Sequence, residues 1–278
     1  MASLDLTTVA RVKDWLSISG STSDTVIARA ITRISADVMG YLERGSFLNQ
    51  EYREYFDGQN SSFQFTERWP VNSVIAVVVD NRTIQPANIV SPDGSTNANS
   101  IGWRIETYDG IPPGEPQAIE LIGYTYCRGR QNCLFQYTAG YLELADVQVV
   151  ASGLAAASMP YGVWLADAGV TYVSTGAALV KVATAPAVGQ YALNPAVLGG
   201  YIFNAADDAA SVNLSYSYCP YTVEGVVWDM VSDALARRSR PSQASRSLAG
   251  QETASYVPSD IPRYAVRVLQ PYKSVIPL

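Results

Sequence analysis

The residues best placed for hydrolytic chemistry in this sequence are the adjacent carboxylates Asp207 and Asp208. A close pair of carboxyl groups could act as a general acid and a general base. Neighbouring residues of a strand point to opposite faces, however, and the run Ala-Ala-Asp-Asp-Ala-Ala is typical of a turn. We therefore expect two solvated side chains, with a carboxylate-based hydrolase as an alternative.

Histidine is absent from the chain, which excludes the commonest general base and the commonest metal ligand. The three cysteines, Cys127, Cys133 and Cys219, are too few for a disulfide framework, so we expect free thiols in a reducing compartment. The sequence contains no glycine-rich phosphate- or dinucleotide-binding motif and no serine-hydrolase motif. It therefore predicts neither an enzyme nor a bound cofactor or metal.

Four arginines lie at and beyond the end of a predicted helix: Arg237, Arg238, Arg240 and Arg246. Cations at the carboxyl end of a helix are favoured by its macrodipole. One interpretation is therefore an ordinary helix end that continues into an exposed loop. The other is contact with a nucleic-acid backbone or with the carboxylates of a partner protein. Both interpretations stay open on the sequence alone.

Charge is sparse and unevenly distributed. The 278 residues are 48% hydrophobic and 16% charged, with 19 basic and 25 acidic residues and a formal net charge of −6. Residues 146–222 hold only one basic and four acidic residues. An acidic chain is poorly suited to tight binding of duplex DNA, and so few charges indicate that much of the surface is uncharged or covered by neighbouring molecules.

No apolar run approaches the roughly 18 residues that a membrane-spanning helix needs. The amino terminus also lacks the basic and apolar stretches of a signal peptide. We expect no membrane segment, and we expect the protein to remain in the cytoplasm where it is made.

The first half of the chain changes from helical to strand periodicity. Val9, Val12 and Leu16 recur at helical spacing, as do apolar residues from Ile27 to Leu42, which predicts a helical hairpin. From Glu51 the pattern alternates with period two, which predicts a small antiparallel sheet. Its predicted strands are Tyr52–Phe56, Phe63–Phe65, Val74–Val79, Ile101–Glu106, Ile119–Tyr126 and Leu134–Tyr141.

Residues 146–218 are predicted to form an inserted all-β module, with strands at Val170–Val173, Leu179–Val182, Gln190–Leu193, Tyr201–Phe203 and Ser211–Tyr218. Helical periodicity returns at Thr222–Arg238, where Glu224, Asp229 and Asp233 lie largely on the polar side. The predicted fold class is α+β, a helical bundle with a small antiparallel β-sheet plus the inserted module. Residues 1–145 and 219–278 form the predicted core domain.

The carboxyl-terminal segment, residues 264–278, is apolar and too short to form a core of its own. A short helix is expected between Ser259 and Gln270, because Pro271 cannot continue it. We expect the segment to be buried by docking onto another protein. The residues predicted to dock are Tyr264, Val268, Leu269, Tyr272, Val275 and Ile276.

Several short runs follow the predicted helical pair in a fixed order: Tyr52-Arg-Glu-Tyr-Phe-Asp-Gly, Arg68-Trp-Pro-Val-Asn-Ser-Val, Tyr137-Thr-Ala-Gly-Tyr, Ser247-Leu-Ala-Gly-Gln-Glu-Thr-Ala-Ser-Tyr and Val268-Leu-Gln-Pro-Tyr-Lys. This order resembles the head-tail connector, or adaptor, proteins of tailed bacteriophages. The resemblance covers about residues 4–145 and 219–278. The β module departs from it, because in the family the run that resembles Tyr-Thr-Ala-Gly-Tyr usually leads directly into a long helix.

The resemblance implies a structural protein of the virion neck that performs no chemistry. Its subunits would form a homo-oligomeric ring, usually a dodecamer, stacked beneath the portal protein and followed by a downstream neck or tail protein. DNA would pass through the channel without specific binding, and assembly would take place in the bacterial host cytoplasm. The helices would build the ring, and the docking residues would reach the portal. An acidic subunit suits such a channel, because like charge keeps phosphates from adhering to the wall.

A second interpretation gives the β module a binding role on a virion structural protein. Tyr161, Trp164, Tyr172 and Tyr201 offer aromatic faces on which a glycan could stack or against which another protein could pack. This alternative stays open beside the connector.

Overall fold

The computed structural model describes residues 5–87, 101–105, 111–238, 245–248, 252–255 and 261–274. Four α-helices lie within these ranges: α1 (Val9–Leu16), α2 (Asp24–Leu42), α3 (Tyr221–Arg238) and α4 (Arg263–Leu269). The strands of the first half are β1 (Gln50–Phe56), β2 (Phe63–Phe65), β3 (Val71–Val79), β4 (Arg82–Ile84), β5 (Gly102–Ile105), β6 (Ala118–Ile122), β7 (Cys133–Ala139) and β8 (Leu142–Val149). Those of the second half are β9 (Leu154–Ala156), β10 (Gly162–Tyr172), β11 (Val180–Lys181), β12 (Gln190–Leu193), β13 (Gly200–Phe203), β14 (Ser211–Pro220), β15 (Ser245–Leu248) and β16 (Glu252–Ser255).

The predicted helical bundle with a small antiparallel β-sheet is wrong, because the described residues are mostly β, with 37% of them in strands and 25% in helices. The helices give the stronger periodic signal, since α2 and α3 repeat their pattern over 19 and 18 residues. Many strands are too short to repeat theirs, and β2, β4 and β9 have three residues each. Sequence periodicity therefore overstates the helical share of this chain.

The chain forms two compact units. The helical unit comprises the described parts of Met1–Ser46 and Cys219–Lys273, and the β unit those of Phe47–Tyr218 and Ser274–Leu278. The first boundary of the predicted inserted module, between residues 145 and 146, lies within β8. The division into a core domain and an inserted module stays a prediction.

The helical unit is built on apolar stripes at helical spacing. Thr8 starts α1 by accepting a hydrogen bond on Oγ1 from the backbone N–H of Arg11, at 3.3 Å, which satisfies one of the unpaired amides of the first turn. Helix α3 packs against α1, α2 and α4. The buried residues at these contacts include Val12, Ile27, Ile31, Ile34, Val38, Leu42, Val223, Val227, Val231, Ala265 and Leu269.

The first half of the β unit contains two sheets, with strand orders β1-β7-β3-β4 and β2-β6-β5. A hydrophobic cluster that includes Val77, Ile119, Tyr126, Phe135 and Tyr137 forms its core. After β7 the chain turns at Gly140, which has φ +141°. A Cβ atom at this position would lie 2.4 Å from the carbonyl oxygen of Leu48, so only glycine fits.

The second half of the β unit also contains two sheets, with strand orders β10-β14-β8 and β11-β12-β13-β9. The pairing of β8 with β14 shifts register between Leu214 and Tyr216, as at a β-bulge. The core of this half is rich in tyrosine, and its buried residues include Val163, Val170, Tyr191, Tyr201, Phe203, Val212, Leu214 and Tyr216.

Candidate interaction surfaces

An exposed group of aromatic rings and one arginine lies on the helical unit, and we call Arg11, Trp15, Tyr221 and Trp228 the aromatic–arginine surface. The Trp15 side chain is 56% exposed although its ring stacks on that of Trp228, with 5.4 Å between the centroids. The Arg11 guanidinium lies 5.4 Å from the ring centroid of Trp228 and 5.8 Å from that of Tyr221. Trp, Tyr and Arg are the residue types that most often dominate the energetics of protein interfaces.

A buried carboxylate fixes the arginine of this surface. Glu224 is 0% exposed, and its two oxygens accept hydrogen bonds from Arg11 Nε at 2.7 Å and Nη2 at 2.9 Å. The Thr7 hydroxyl donates to the same carboxylate at 2.7 Å and accepts a hydrogen bond from Trp228 Nε1 at 2.9 Å. The hydrogen bond with Glu224 raises the pKa of Arg11. Because the arginine charge is balanced, the surface presents aromatic faces rather than net charge.

Helical spacing brings these side chains together. Arg11 and Trp15 are four residues apart on α1, and Tyr221, Glu224 and Trp228 follow one another at intervals of three and four on α3. Residues at such intervals lie on the same side of a helix. Two packed helices therefore suffice to assemble the surface and the carboxylate beneath it.

Sequence reasoning misplaced one member of this site and overlooked another. Glu224 was expected on the polar side of its helix, but it is fully buried, because its partner Arg11 lies 213 residues away in sequence. Trp15 lacks a motif that marks it as a site residue. The available signal was its position outside the apolar stripe of Val9, Val12 and Leu16, since a large aromatic residue off the buried face must lie in solvent or against a partner.

A groove runs along the helical unit between α2 and α3, and we call it the α2–α3 groove. It has a volume of about 710 Å³ and is lined by Arg33, Ile34, Ala36, Asp37, Gly40, Met230, Asp233, Ala234, Arg237, Ile261 and Pro262. Its floor includes the buried Ile34 and Met230. Two basic and two acidic residues line it, so the groove combines apolar depth with a balanced charged rim.

The residues predicted to dock on the portal fall into two groups. Tyr264 is 43% exposed and Val268 is half-buried, whereas Leu269 and Tyr272 are buried within the helical unit. The backbone carbonyl of Tyr272 accepts a hydrogen bond from Arg44 Nε at 2.5 Å. Val275 and Ile276 lie outside the described residues. Much of the described tail therefore packs on its own helical unit, and its contact with a portal stays a prediction.

Two carboxylates of α3 affect the pKa of the exposed Tyr264. Burial and the nearby carboxylates of Asp229 and Asp233 raise the pKa of Tyr264 to about 12. Burial, followed by the like charge of Asp233, also raises the pKa of Asp229. The Tyr264 hydroxyl thus stays protonated near neutral pH and can donate a hydrogen bond.

The structure does not bring the four predicted arginines together as one described site. Arg237 and Arg238 are exposed in the last turn of α3. Arg240 lies outside the described residues. Arg246 stands opposite Ala254 in the pairing of β15 with β16. The interpretation of the set as a partner contact stays a prediction.

The aromatic residues proposed for stacking in the β module are mostly occupied within the fold. Tyr201 is fully buried, and its hydroxyl accepts a hydrogen bond from Trp164 Nε1 at 3.2 Å. The Tyr172 hydroxyl donates to Asp207 at 2.6 Å. Among the four aromatic residues proposed for stacking, Tyr161 is the most exposed, at 41%.

The candidate carboxylate pair occupies two different environments. Asp207 is buried and accepts the hydrogen bond from Tyr172, whereas Asp208 is exposed and accepts a hydrogen bond from the backbone N–H of Gly153 at 3.2 Å. Among the described residues, no group of three or more acidic, cysteine or histidine side chains is arranged to hold a metal ion. All three cysteines are free thiols; Cys127 is exposed, and the other two are buried.

Strand β8 carries exposed apolar side chains that sequence reasoning missed. Leu144, Val147 and Val149 are 60%, 56% and 58% exposed. Val147 and Val149 stand opposite the uncharged residues Asn213 and Ser211 of β14. Strand β8 is also an edge strand of its sheet in the described part of the chain. An exposed apolar face on an edge strand is a site at which proteins associate.

A scan of the chain against protein-family models gave no match, and a search of curated proteins gave none either. A function for this chain therefore has to be inferred from its residues and from the order of its sequence elements. In the described residues, none of the helices combines the length and apolar character needed to cross a bilayer.

Proposed function

We propose that this protein is a structural subunit of the neck of a tailed-bacteriophage particle, a head-tail connector that forms a ring on the portal and continues the DNA channel to the tail. The proposal assigns it no catalytic role and no cofactor. Its partners are further copies of the same chain, the portal protein and a downstream neck or tail protein.

The aromatic–arginine surface is the observation that carries this proposal. A tryptophan that is 56% exposed and stacked on a second tryptophan leaves apolar ring surface in water, and contact with a neighbouring subunit would remove it. Its position on α1 and α3 agrees with the resemblance, in which the helices build the ring. The exposed apolar side chains of β8 support assembly in the same way.

The net charge supports a role as a channel wall. A chain with a formal charge of −6 repels the phosphates of passing DNA, so that DNA can move without being retained. The net charge of the chain stays negative even though two arginines lie at the end of α3.

Purification of assembled particles or portal complexes tests the proposal. Mass spectrometry should find this chain in stoichiometric amounts with the portal, and cryo-electron microscopy or negative-stain imaging should show a ring of it below the portal. A preparation that contains complete particles or portal complexes without this chain would overturn the proposal.

A second candidate is a protein- or glycan-binding role for the β module, which the uncharged face of β8 favours for a protein partner. The burial of Tyr201 removes one of the four proposed stacking faces for a glycan. Binding of the full chain to a glycan array, with loss of the signal in Tyr161→Ala, would favour the glycan version. A silent array would contradict it.

A further inference from the structure

Strands β15 and β16 form a two-stranded hairpin between α3 and α4. Ser245–Leu248 and Glu252–Ser255 pair antiparallel over four consecutive positions without a bulge. In the described part of the chain, no third strand joins this sheet, and no other helix or strand makes more than marginal contact with it. An isolated two-stranded hairpin is at best marginally stable in water, and further strands stabilise it. The hairpin therefore gains stability from a partner.

Both outer edges of this hairpin are suited to pairing. Each strand uses one edge to bond the other strand, and its second edge carries N–H and C=O groups that no described strand pairs. Neither strand contains proline or a bulge, two features that keep edge strands from pairing. The occupant that these edges fit is thus another β-strand.

The two edges meet the requirement that a closed ring places on its subunit. Each copy must contact its two neighbours through two different surfaces, because ring contacts are head-to-tail. One edge belongs to β15 and the other to β16. If β15 of each copy pairs with β16 of the next, the strands alternate in direction and every edge is paired, whatever the number of copies. This inference rests on the proposed function, in which the subunits form a ring.

The charges of the two strands favour this pairing over a symmetric one. Arg246 is the one charged residue of β15, and Glu252 is the one charged residue of β16. Pairing of β15 with β16 brings opposite charges onto neighbouring strands, whereas pairing of β15 with β15, or of β16 with β16, brings like charges together. Charge complementarity therefore favours a second copy that is joined head to tail.

The same two residues select the register. Within the hairpin, Arg246 stands opposite Ala254, two residues beyond Glu252. If Arg246 stands opposite Glu252 of the next copy, the pairing is offset by two residues per copy, which keeps every residue on its own face of the sheet. The shear then equals the number of strands, as in an eight-stranded barrel whose strands tilt by about 36°. Such a tilt is usual for closed sheets, in which strands tilt by about 35–45°.

The faces of this sheet suit a channel through which DNA passes. Arg246 and Glu252 share one face by register, and their charges cancel. The residues that share the other face are uncharged: Ser245, Ser247, Thr253 and Ser255. With two strands from each of twelve copies, the closed sheet would have more strands than the roughly 16–18 that already enclose an open channel. Neither face carries the net positive charge that would retain phosphates.

We infer that β15 of each copy pairs antiparallel with β16 of the next copy, with Arg246 opposite Glu252. The hairpins of all copies then form one closed sheet around the channel.

Disulfide cross-linking in assembled particles tests this pairing. The background variant is Cys127→Ser, which removes the exposed native thiol and leaves the two buried ones. Ser245→Cys and Thr253→Cys are placed together in one chain, because the inferred register sets these positions opposite each other between copies. Within one copy Ser245 stands opposite Ser255, so the two new thiols are diagonal neighbours there, beyond the usual Cα separation of a disulfide. Mild oxidation should give a ladder of linked copies on non-reducing denaturing gels.

The matched controls use neighbouring positions in the same hairpin. Ser247→Cys with Thr253→Cys places two thiols opposite each other within one copy, so this pair should link inside the chain and give no ladder. Ser245→Cys alone and Thr253→Cys alone should give no dimer. A ladder from the control pair, or a dimer from either single variant, would show a different pairing and would overturn the inference.

The remaining outcomes separate this pairing from the proposed function. If imaging shows the ring but Ser245→Cys with Thr253→Cys gives no ladder, the pairing is wrong while the proposed function stands. A link from either cysteine to the portal protein has the same meaning, because the portal would then cover the edge. If the chain is absent from particles, the proposed function fails and the inference fails with it.

Charge reversal supplies an independent measurement. Arg246→Glu alone and Glu252→Arg alone place like charges opposite each other at every contact of the ring, so each should reduce the number of copies per particle by more than tenfold. Co-expression of the two variants should restore the copy number, because contacts between unlike copies again pair opposite charges. An ion pair inside one hairpin would not be restored in this way. Unchanged copy number in the single variants, or no recovery on co-expression, would overturn the inference.

Discussion

The ion pair beneath the aromatic–arginine surface gives a quantitative prediction about what holds α1 on α3. Replacing Arg11 by Met keeps the aliphatic stem but removes two charge-assisted hydrogen bonds to Glu224, at 2.7 and 2.9 Å. Glu224 is fully buried and would then keep only the bond from Thr7. Breaking a buried pair in this way costs about 3–5 kcal/mol, mainly because one charge is left without its partner.

The same reasoning predicts that a second substitution recovers stability. Glu224→Gln in the Arg11→Met background replaces the stranded charge by a neutral amide of the same shape, which can still accept the hydrogen bond from Thr7. We expect the double variant to be more stable than Arg11→Met by about 1–2 kcal/mol, within the usual range for coupled neighbours. Urea unfolding followed by tryptophan fluorescence measures both differences.

The control is Lys13→Met, which removes another cation of α1. Lys13 pairs with Asp24, whose side chain is 40% exposed, so its loss should cost less than about 1 kcal/mol. A double variant no more stable than Arg11→Met would refute the reasoning, because the penalty could not then come from the buried charge.

Three further predictions concern Glu54, two glycines and the thiols. Burial raises the pKa of Glu54 above its ordinary value of 4.5, so the contribution of Glu54 to stability is complete below this pH and is lost as the pH rises above it. In pH-dependent unfolding, the stability of Glu54→Gln relative to the natural protein should therefore increase as the pH rises above 4.5. Gly140→Ala should lower the unfolding free energy by more than about 1 kcal/mol, because the new Cβ atom would collide with the carbonyl oxygen of Leu48. Gly225→Ala should instead raise the unfolding free energy by about 0.5–1 kcal/mol, because Gly225 lies within α3 and a Cβ atom there would meet no neighbouring atom. A thiol reagent should modify one cysteine per folded chain, and Cys127→Ser should abolish this reaction, since the other two thiols are buried.

Local sequence signals identify several elements of this fold closely. The strand predicted at Gln190–Leu193 is confirmed, as is that at Phe63–Phe65. The stripe from Ile27 to Leu42 lies in α2 and is buried along its length. In each case the residues that define the pattern are those that face the core, so the period of the sequence matches the period of the structure.

The same signals fail where the exposed side of an element is the apolar one. In β8 the exposed residues include Leu144, Val147 and Val149, while Asp146 is buried and accepts hydrogen bonds from the backbone and the hydroxyl of Ser158. This strand therefore reverses the expected arrangement and was not predicted. Glu224 was misplaced for a related reason, since its burial depends on a distant arginine that helical periodicity cannot reveal.

The fate of the charges in residues 146–222 strengthens the case for assembly. Of the four acidic residues in this stretch, Asp146 and Asp207 are buried as hydrogen-bond acceptors. Asp167 is also covered, with its side chain 4% exposed, and pairs with the single basic residue, Lys181, at 2.9 Å. Only Asp208 remains as an exposed acid, so the surface of this stretch carries even less charge than its composition indicates. Surface charge keeps monomeric proteins apart in solution. A surface with few charges, because the acidic side chains are paired inside the fold, suits a protein that functions in contact with neighbouring subunits.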